Sequence, residues 1–381
     1  MRRLISALLC LALLGAFPAL AAAEAGDIAV DAPSAALMET RTGRVLYAKN
    51  ASERRAPASV TKVMTLLLAA EAVDSGALAL TDTITASERA ASMGGSQVWL
   101  EAGEELSAAD IIKCIAVVSA NDCAVALAEH LAGSEAAFVG LMNERAEELG
   151  LTDTHFTNCT GLFDDSGHYT SALDIAVMSR ELLRHEWIRE YTTIWTDSIR
   201  SGEFGLSNTN KLLRTLPGCT GLKTGWTELA GYCVAASAER EGTEYVAVIM
   251  GAESSEARNV DAAALIEHAF ASYSLCGALD AALPPVRVSG GTADSVQPVI
   301  DGADFVLLTR SEAASLTRRV ELPGSVDAPV AAGERLGEIV LSSGGAEITR
   351  IPLAAGSEVG RLGFSGAMAL LLRRLFVPDA A

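Results

Sequence analysis

The sequence predicts an α/β (α+β) protein. It has an antiparallel sheet flanked by helices, with a helical insert. A small all-β domain and a C-terminal amphipathic helix follow. Three observations predict this. Strand-like runs open the chain and return at Cys219–Gly251, with capped helical segments between them. The composition changes at Leu283-Pro284-Pro285, after which short alternating runs are separated by Gly, Asp and Ser. The chain has 381 residues, half of them hydrophobic, enough for a full domain and a smaller one.

The elements follow in order. Ala35–Glu39 and Arg44–Ala48 flank a Thr42-Gly43 turn and read as a hairpin. Pro57 precedes a helix from about Ser59 to Asp74, ending near Gly76. Ser107 and Asp110 form a capping box for a helix to about Val118. Asn121 or Asp122 caps the next, which ends near Gly133; Ser134 caps another, closed by Gly150. Ser171 and Asp174 make a second box, for a helix to about His185. Strands are expected at Cys219–Gly225, Gly231–Ala238 and Tyr245–Gly251, then an amphipathic helix over Ser255–Tyr273. After Pro285 the runs Val286–Val288, Phe305–Leu308, Gly337–Leu341 and Glu347–Ile351 read as strands of the β domain. The expected division is a leader at 1–23, a main domain at 24–283, the β domain at 284–358 and a terminal amphipathic segment at 359–381, helical from about Gly366 to Phe376.

Arg2 and Arg3, the apolar run Leu4–Leu20 and small residues at Ala19–Ala23 read as an export signal. The run is also near spanning length, so an uncleaved anchor is the alternative. The net charge of −19 argues against nucleic-acid partners and favours a soluble surface. Six cysteines remain after the leader. Their even number permits disulfides, but they show no CxxC spacing and sit mostly in apolar contexts, which reads as buried thiols. No His-Glu-x-x-His or other ligand cluster is visible, so neither a metal nor a cofactor is expected.

Three short motifs carry the chemistry. Ser59-Val60-Thr61-Lys62, Ser119-Ala120-Asn121 and Lys223-Thr224-Gly225 occur in that order, and the chain has only five lysines. Together they make a serine acyl-transfer site whose base is a lysine. Lys62 lies one helical turn from Ser59 and reaches its hydroxyl. Burial beside a second cation, Lys223, lowers the pKa of Lys62 toward that of a base. Ser119 is placed to relay a proton to the leaving amine, and Asn121 to hold a substrate amide. The backbone N–H groups of Ser59 and Trp226 are candidates for an oxyanion hole. Each motif alone has a plainer reading: Ser59 and Asn121 as helix caps, Lys223 as a solvated strand lysine.

The set resembles the penicillin-recognising serine acyltransferases. Within them it looks like the low-molecular-mass penicillin-binding proteins that act as D-alanyl-D-alanine carboxypeptidases. Ala56–Thr65, Phe156–Asn158 with Gly161-Leu162, His168–Asp174, Asn208–Leu213, Gly221–Thr227 and Ala230–Cys233 carry the narrower likeness. Ala120 stands where the subfamily often has Gly. The resemblance implies a β-lactamase/transpeptidase-like fold. It also implies removal of the terminal D-Ala from peptidoglycan stem peptides through an acyl-enzyme on Ser59, which β-lactams also acylate. Catalytic Ser59, Lys62 and Ser119, substrate-binding Asn121, Lys223 and Thr224, and a place at the outer face of the cytoplasmic membrane follow from it. A β-lactamase is the alternative, without its usual Glu-x-x-Leu-Asn segment here. A non-catalytic cell-wall-binding homologue is another, against which the intact motifs speak. Met368, Leu371, Leu372, Leu375 and Phe376 share a helical face with Arg373 and Arg374 nearby, which suits peripheral membrane contact or packing on the β domain.

Overall fold

The computed structural model describes residues 28–163, 165–364, 366 and 368. The expected leader, 1–23, lies outside these residues, as does the expected final helix apart from Gly366 and Met368. A five-stranded sheet has the order Val45–Lys49, Ser34–Glu39, Thr243–Ala252, Gly231–Arg240, Cys219–Thr227. Its first two strands are antiparallel, with Leu37 opposite Tyr47, and a bulge follows at Met38. Both ends of the main domain's chain thus build one sheet, as the strand positions predict.

The chain divides into two compact units. One holds the described residues up to Met38 with Val45–Ala236 and Val246–Leu265. Its core is the helical insert, packed around Lys62–Asp74, Ala108–Val117, Asn121–Ala132, Glu135–Glu148 and Ala172–Leu183. Side-chain capping fixes three of these starts. Ser107 Oγ accepts from Asp110 N, Ser134 Oγ from Ala137 N and Ser171 Oγ from Asp174 N, each at 3.1 Å. Gly133, at φ +78°, closes the helix that begins at Asn121.

The cap expected at Asn121 or Asp122 is absent, and so is the plainer cap reading of Ser59. No side chain caps the helix at Asn121, whose N-cap is Ala120, and none caps the turn that holds Ser59. Both side chains are therefore released for other work. The sequence also missed the hairpin Thr196–Ile199 with Phe204–Ser207 and the pair Thr83–Thr85 with Glu105–Ser107. These strands are only three or four residues long, too short for alternation to register.

The second unit holds Glu39–Arg44, Ser237–Tyr245 and the described residues from Ile266 onward. Tyr273–Gly277 pairs antiparallel with Phe305–Thr309. The sheet Pro298–Ile300, Ala346–Ala355, Arg335–Ser343, Leu316–Glu321 encloses a small core of Ile339, Leu341, Ile351 and Leu353. Val286, Val288, Val296, Val330 and Val359 form another. Thr309 and Glu312 make a reciprocal capping box for Arg310–Ala314, a helix the sequence reading did not see. The six described cysteines are free; Cys114, Cys123, Cys159 and Cys233 are buried.

Candidate active site

Ser59 lies in a single 3-10 turn, Ala58–Thr61, that runs directly into the helix Lys62–Asp74. Ala58 takes a left-handed backbone, φ +49°, uncommon for a residue with a Cβ. Lys62 is wholly buried, and its Nζ has three oxygen neighbours: Ser59 Oγ at 3.0 Å, Asn121 Oδ1 at 2.6 Å and Thr160 O at 2.9 Å. Two of these are amide oxygens and can only accept. A neutral amine has two N–H bonds and one lone pair. The N–H bonds satisfy Asn121 and Thr160, so the lone pair faces the Ser59 hydroxyl. Burial brings the amine toward that neutral form: it outweighs the opposing pull of Cys159 and Asp122 and holds the Lys62 pKa at about 7.

Asn121 begins its helix at the end of the loop that carries Ser119. Its backbone N donates to Ser96 O at 2.7 Å and its Nδ2 to Gly94 O at 2.7 Å, while its Oδ1 holds Lys62. Asp122 beside it is buried and satisfied. Its Oδ2 accepts from Val98 N and Leu100 N at 3.0 and 3.1 Å, and its Oδ1 from Cys123 N at 2.9 Å. Ser119, at φ +66°, is buried, and its Oγ has no hydrogen-bond partner among the described residues. A buried hydroxyl without a protein partner is open to a water or to a substrate group.

Lys223 and Thr224 come from the edge strand Cys219–Thr227. Lys223 is 1% exposed and donates to Thr224 O at 2.9 Å. Among the described residues no carboxylate bonds to it. Burial, then Lys62, then Arg258 hold its pKa well below the ordinary lysine value. The sequence pattern predicts that Lys223 lowers the pKa of Lys62; in the structure burial is what lowers Lys62, and it is Lys62 that acts on Lys223. Thr224 Oγ1 lies 2.7 Å from Thr209 Oγ1. Gly225 explains itself by space: a Cβ there would stand 2.9 Å from Ser59 N and 3.0 Å from Pro57 O. The edge strand therefore presses against the backbone at the nucleophile. Trp226 follows it, 57% exposed as a residue, with its ring centroid 5.9 Å from that of Tyr232.

The structure thus brings Ser59, Lys62 and Asn121 into direct contact, and sets Lys223 within repulsive range of Lys62 with Gly225 against Ser59 N. Three contributors escaped the sequence reading. The Thr160 carbonyl has no side-chain signature, although the turn that offers it is shaped by Asn158, whose Oδ1 accepts from Thr160 N at 3.1 Å and Gly161 N at 2.6 Å. Asp122 looked like a cap. Arg258, nearly buried, lies on a helix read only as amphipathic; its Nη1 donates to Cys233 O at 3.3 Å.

Comparison with known proteins gives concordant results. The D-alanyl-D-alanine carboxypeptidase family matches residues 20–254, and the C-terminal domain of penicillin-binding protein 5 matches residues 280–361. The chain is 39% identical to the D-alanyl-D-alanine carboxypeptidase DacF of Bacillus subtilis, over 96% of each chain. Among solved structures it is similar to penicillin-binding protein 5 of Haemophilus influenzae, with a TM-score of 0.76, 30% identity and coverage of 88% of this chain and 99% of that one. It is also similar to penicillin-binding protein D2 of Listeria monocytogenes in its ampicillin-bound form, with a TM-score of 0.59, 31% identity and coverage of 64% and 99%.

Proposed function

This chain belongs to the D-alanyl-D-alanine carboxypeptidase family, and on that premise we propose that it trims peptidoglycan stem peptides through an acyl-enzyme on Ser59. It is a penicillin-binding hydrolase of the cell wall. The observation that carries the Ser59 assignment is the contact of buried Lys62 Nζ with the serine hydroxyl at 3.0 Å; in the neutral amine the two neighbours that only accept take the N–H bonds and leave the lone pair for that hydroxyl.

The steps follow from that geometry. Lys62 takes the proton as Ser59 Oγ attacks the penultimate D-Ala carbonyl. The N–H groups of Ser59 and Trp226 receive the developing oxyanion. Ser119 passes its hydroxyl proton to the leaving amine and takes in its place the one that Lys62 received from Ser59, so Lys62 is neutral again for the second step. Water then attacks the ester, with the same lysine as base. Lys223 and Thr224 hold the substrate's terminal carboxylate. A buried ammonium among cations and without a carboxylate of its own gains most from an incoming anion. The family's reaction places the protein in the cell envelope. Export by the leader 1–23, a peptidase domain at 24–283, a β domain at 284–358 and a membrane-facing C-terminal segment at 359–381 complete the proposal.

The test is intact-mass measurement after incubation with benzylpenicillin, with peptide mapping of the adduct, for the wild type and Ser59→Ala. One adduct on Ser59, absent from the variant, is the expected result, with D-Ala release from a D-Ala-D-Ala peptide lost in parallel. An adduct mapped to Ser119 or elsewhere rejects the mechanism.

A further inference from the structure

We propose that His168 is a positioning residue for the nucleophile, acting through Thr61 on the carbonyl of Ala58. The proposal rests on the assignment of Ser59 above and adds a residue outside its three motifs.

The contacts form one directed chain. Thr157 N donates to His168 Nδ1 at 3.0 Å. His168 Nε2 lies 2.7 Å from Thr61 Oγ1, and Thr61 Oγ1 donates to Ala58 O at 2.8 Å. A backbone N–H at one end can only donate, and a backbone carbonyl at the other can only accept. The proton positions between them are therefore fixed. Nδ1 is the acceptor, Nε2 carries the hydrogen, and the threonine hydroxyl passes the direction on. Burial pushes the His168 pKa down to about 4, which keeps the ring uncharged at neutral pH, and the contacts choose its tautomer. Asp165 and His155 act on the same ring, and Glu53, Arg54 and Arg55 line the cavity beside it.

What the chain holds is the residue before the nucleophile. Ala58 has φ +49°, a conformation that needs support from its surroundings. Thr61 grips its carbonyl. Gly161 closes on the same oxygen, since a Cβ there would stand 1.8 Å from Ala58 O and 2.5 Å from Thr61 Oγ1. Thr157, at the other end of the chain, begins the segment whose Thr160 carbonyl receives Lys62. His168 thereby ties the segment that orients the base to the backbone that orients the nucleophile. The ring also packs against Phe156, with centroids 5.7 Å apart, so its orientation is set by packing as well.

The experiment is a double-variant cycle on full-length protein, read by stopped-flow acylation with a fluorescent penicillin. His168→Leu and Thr61→Val each lower the limiting acylation rate by about 10- to 100-fold, with little change in half-saturating concentration. The double variant is no slower than the worse single one, because both cut the same chain. His168→Gln keeps a donor and an acceptor, and Thr61→Ser keeps the hydroxyl; both retain most of the rate. Melting temperatures are measured in parallel. A lower melting point with an unchanged acylation rate, or losses that multiply in the double variant, overturns the proposal. So does a histidine 15N spectrum of the wild type that puts the proton on Nδ1, a test that needs no variant to fold. If the wild type itself takes no adduct on Ser59, the earlier assignment fails instead.

Discussion

Two buried lysines set the behaviour of the site at the residue scale, and each has a measurable signature. Lys62 is a base only when neutral. With its pKa held at about 7, the acylation rate should rise about tenfold per pH unit below 7 and level off above it. A pH–rate profile with benzylpenicillin checks this; a flat profile from pH 5 to 8 removes Lys62 as the base. Lys223 gives a stability prediction. Its pKa is lowered in the folded chain, so the unfolded chain binds the proton more tightly. The resulting penalty on folding is absent above the ordinary lysine value of 10.5 and grows as pH falls through it. It is full below the folded value. Lys223→Met removes the penalty, at the loss of one bond to Thr224 O. It should raise the melting temperature at neutral pH by on the order of a few degrees while abolishing D-Ala release. A variant that melts lower than wild type contradicts the account of Lys223 as a destabilising, functional cation.

At the scale of elements, the site is a close approach of three backbones, and glycine marks where side chains would intrude. The edge strand Cys219–Thr227 reaches the 3-10 turn only because residue 225 has no Cβ. Gly225→Ala should therefore push the strand from Ser59 N and distort the oxyanion site, slowing acylation by about a hundredfold with a small effect on far-ultraviolet circular dichroism. An alanine variant acylated at the wild-type rate would show that the strand has room to give. The capped helices play a different part. Ser107, Ser134 and Ser171 fix helix starts within the helical core that carries Lys62 and Asn121. The caps set where each helix begins, and the buried faces set how the helices pack.

At the scale of the whole molecule, the family match spans both the peptidase region and the C-terminal domain. The last described residues tie into the second unit. Val330 and Val359 exchange backbone bonds, and Leu362 N donates to Gly290 O at 2.8 Å. A chain stopped after Gly363 thus keeps that pairing and removes the apolar, arginine-bearing tail. We expect leader-free full-length protein to sediment with anionic liposomes at low salt, and the shortened chain to remain in solution. Salt should weaken the binding, since part of it is charge attraction across water. Equal sedimentation of the two rejects a membrane role for the tail.

The sequence by itself determined the helix starts at Ser107, Ser134 and Ser171, the sheet built from both chain ends and the three motifs of the site. Each of these is a local pattern: a cap three residues from its partner, an alternation of two, a serine one turn from a lysine. Tertiary structure alone decided which plain readings failed. Ser59 and Asn121 suit helix caps by position, and only packing showed that neither caps. It also supplied the groups without a signature in the chain: the Thr160 carbonyl against Lys62, Arg258 near Lys223, and the path from Thr157 through His168 and Thr61 to Ala58. Those contacts join residues far apart in sequence. A backbone carbonyl or a burial-shifted amine acquires its chemistry from what is folded around it, so no spacing in the chain announces it.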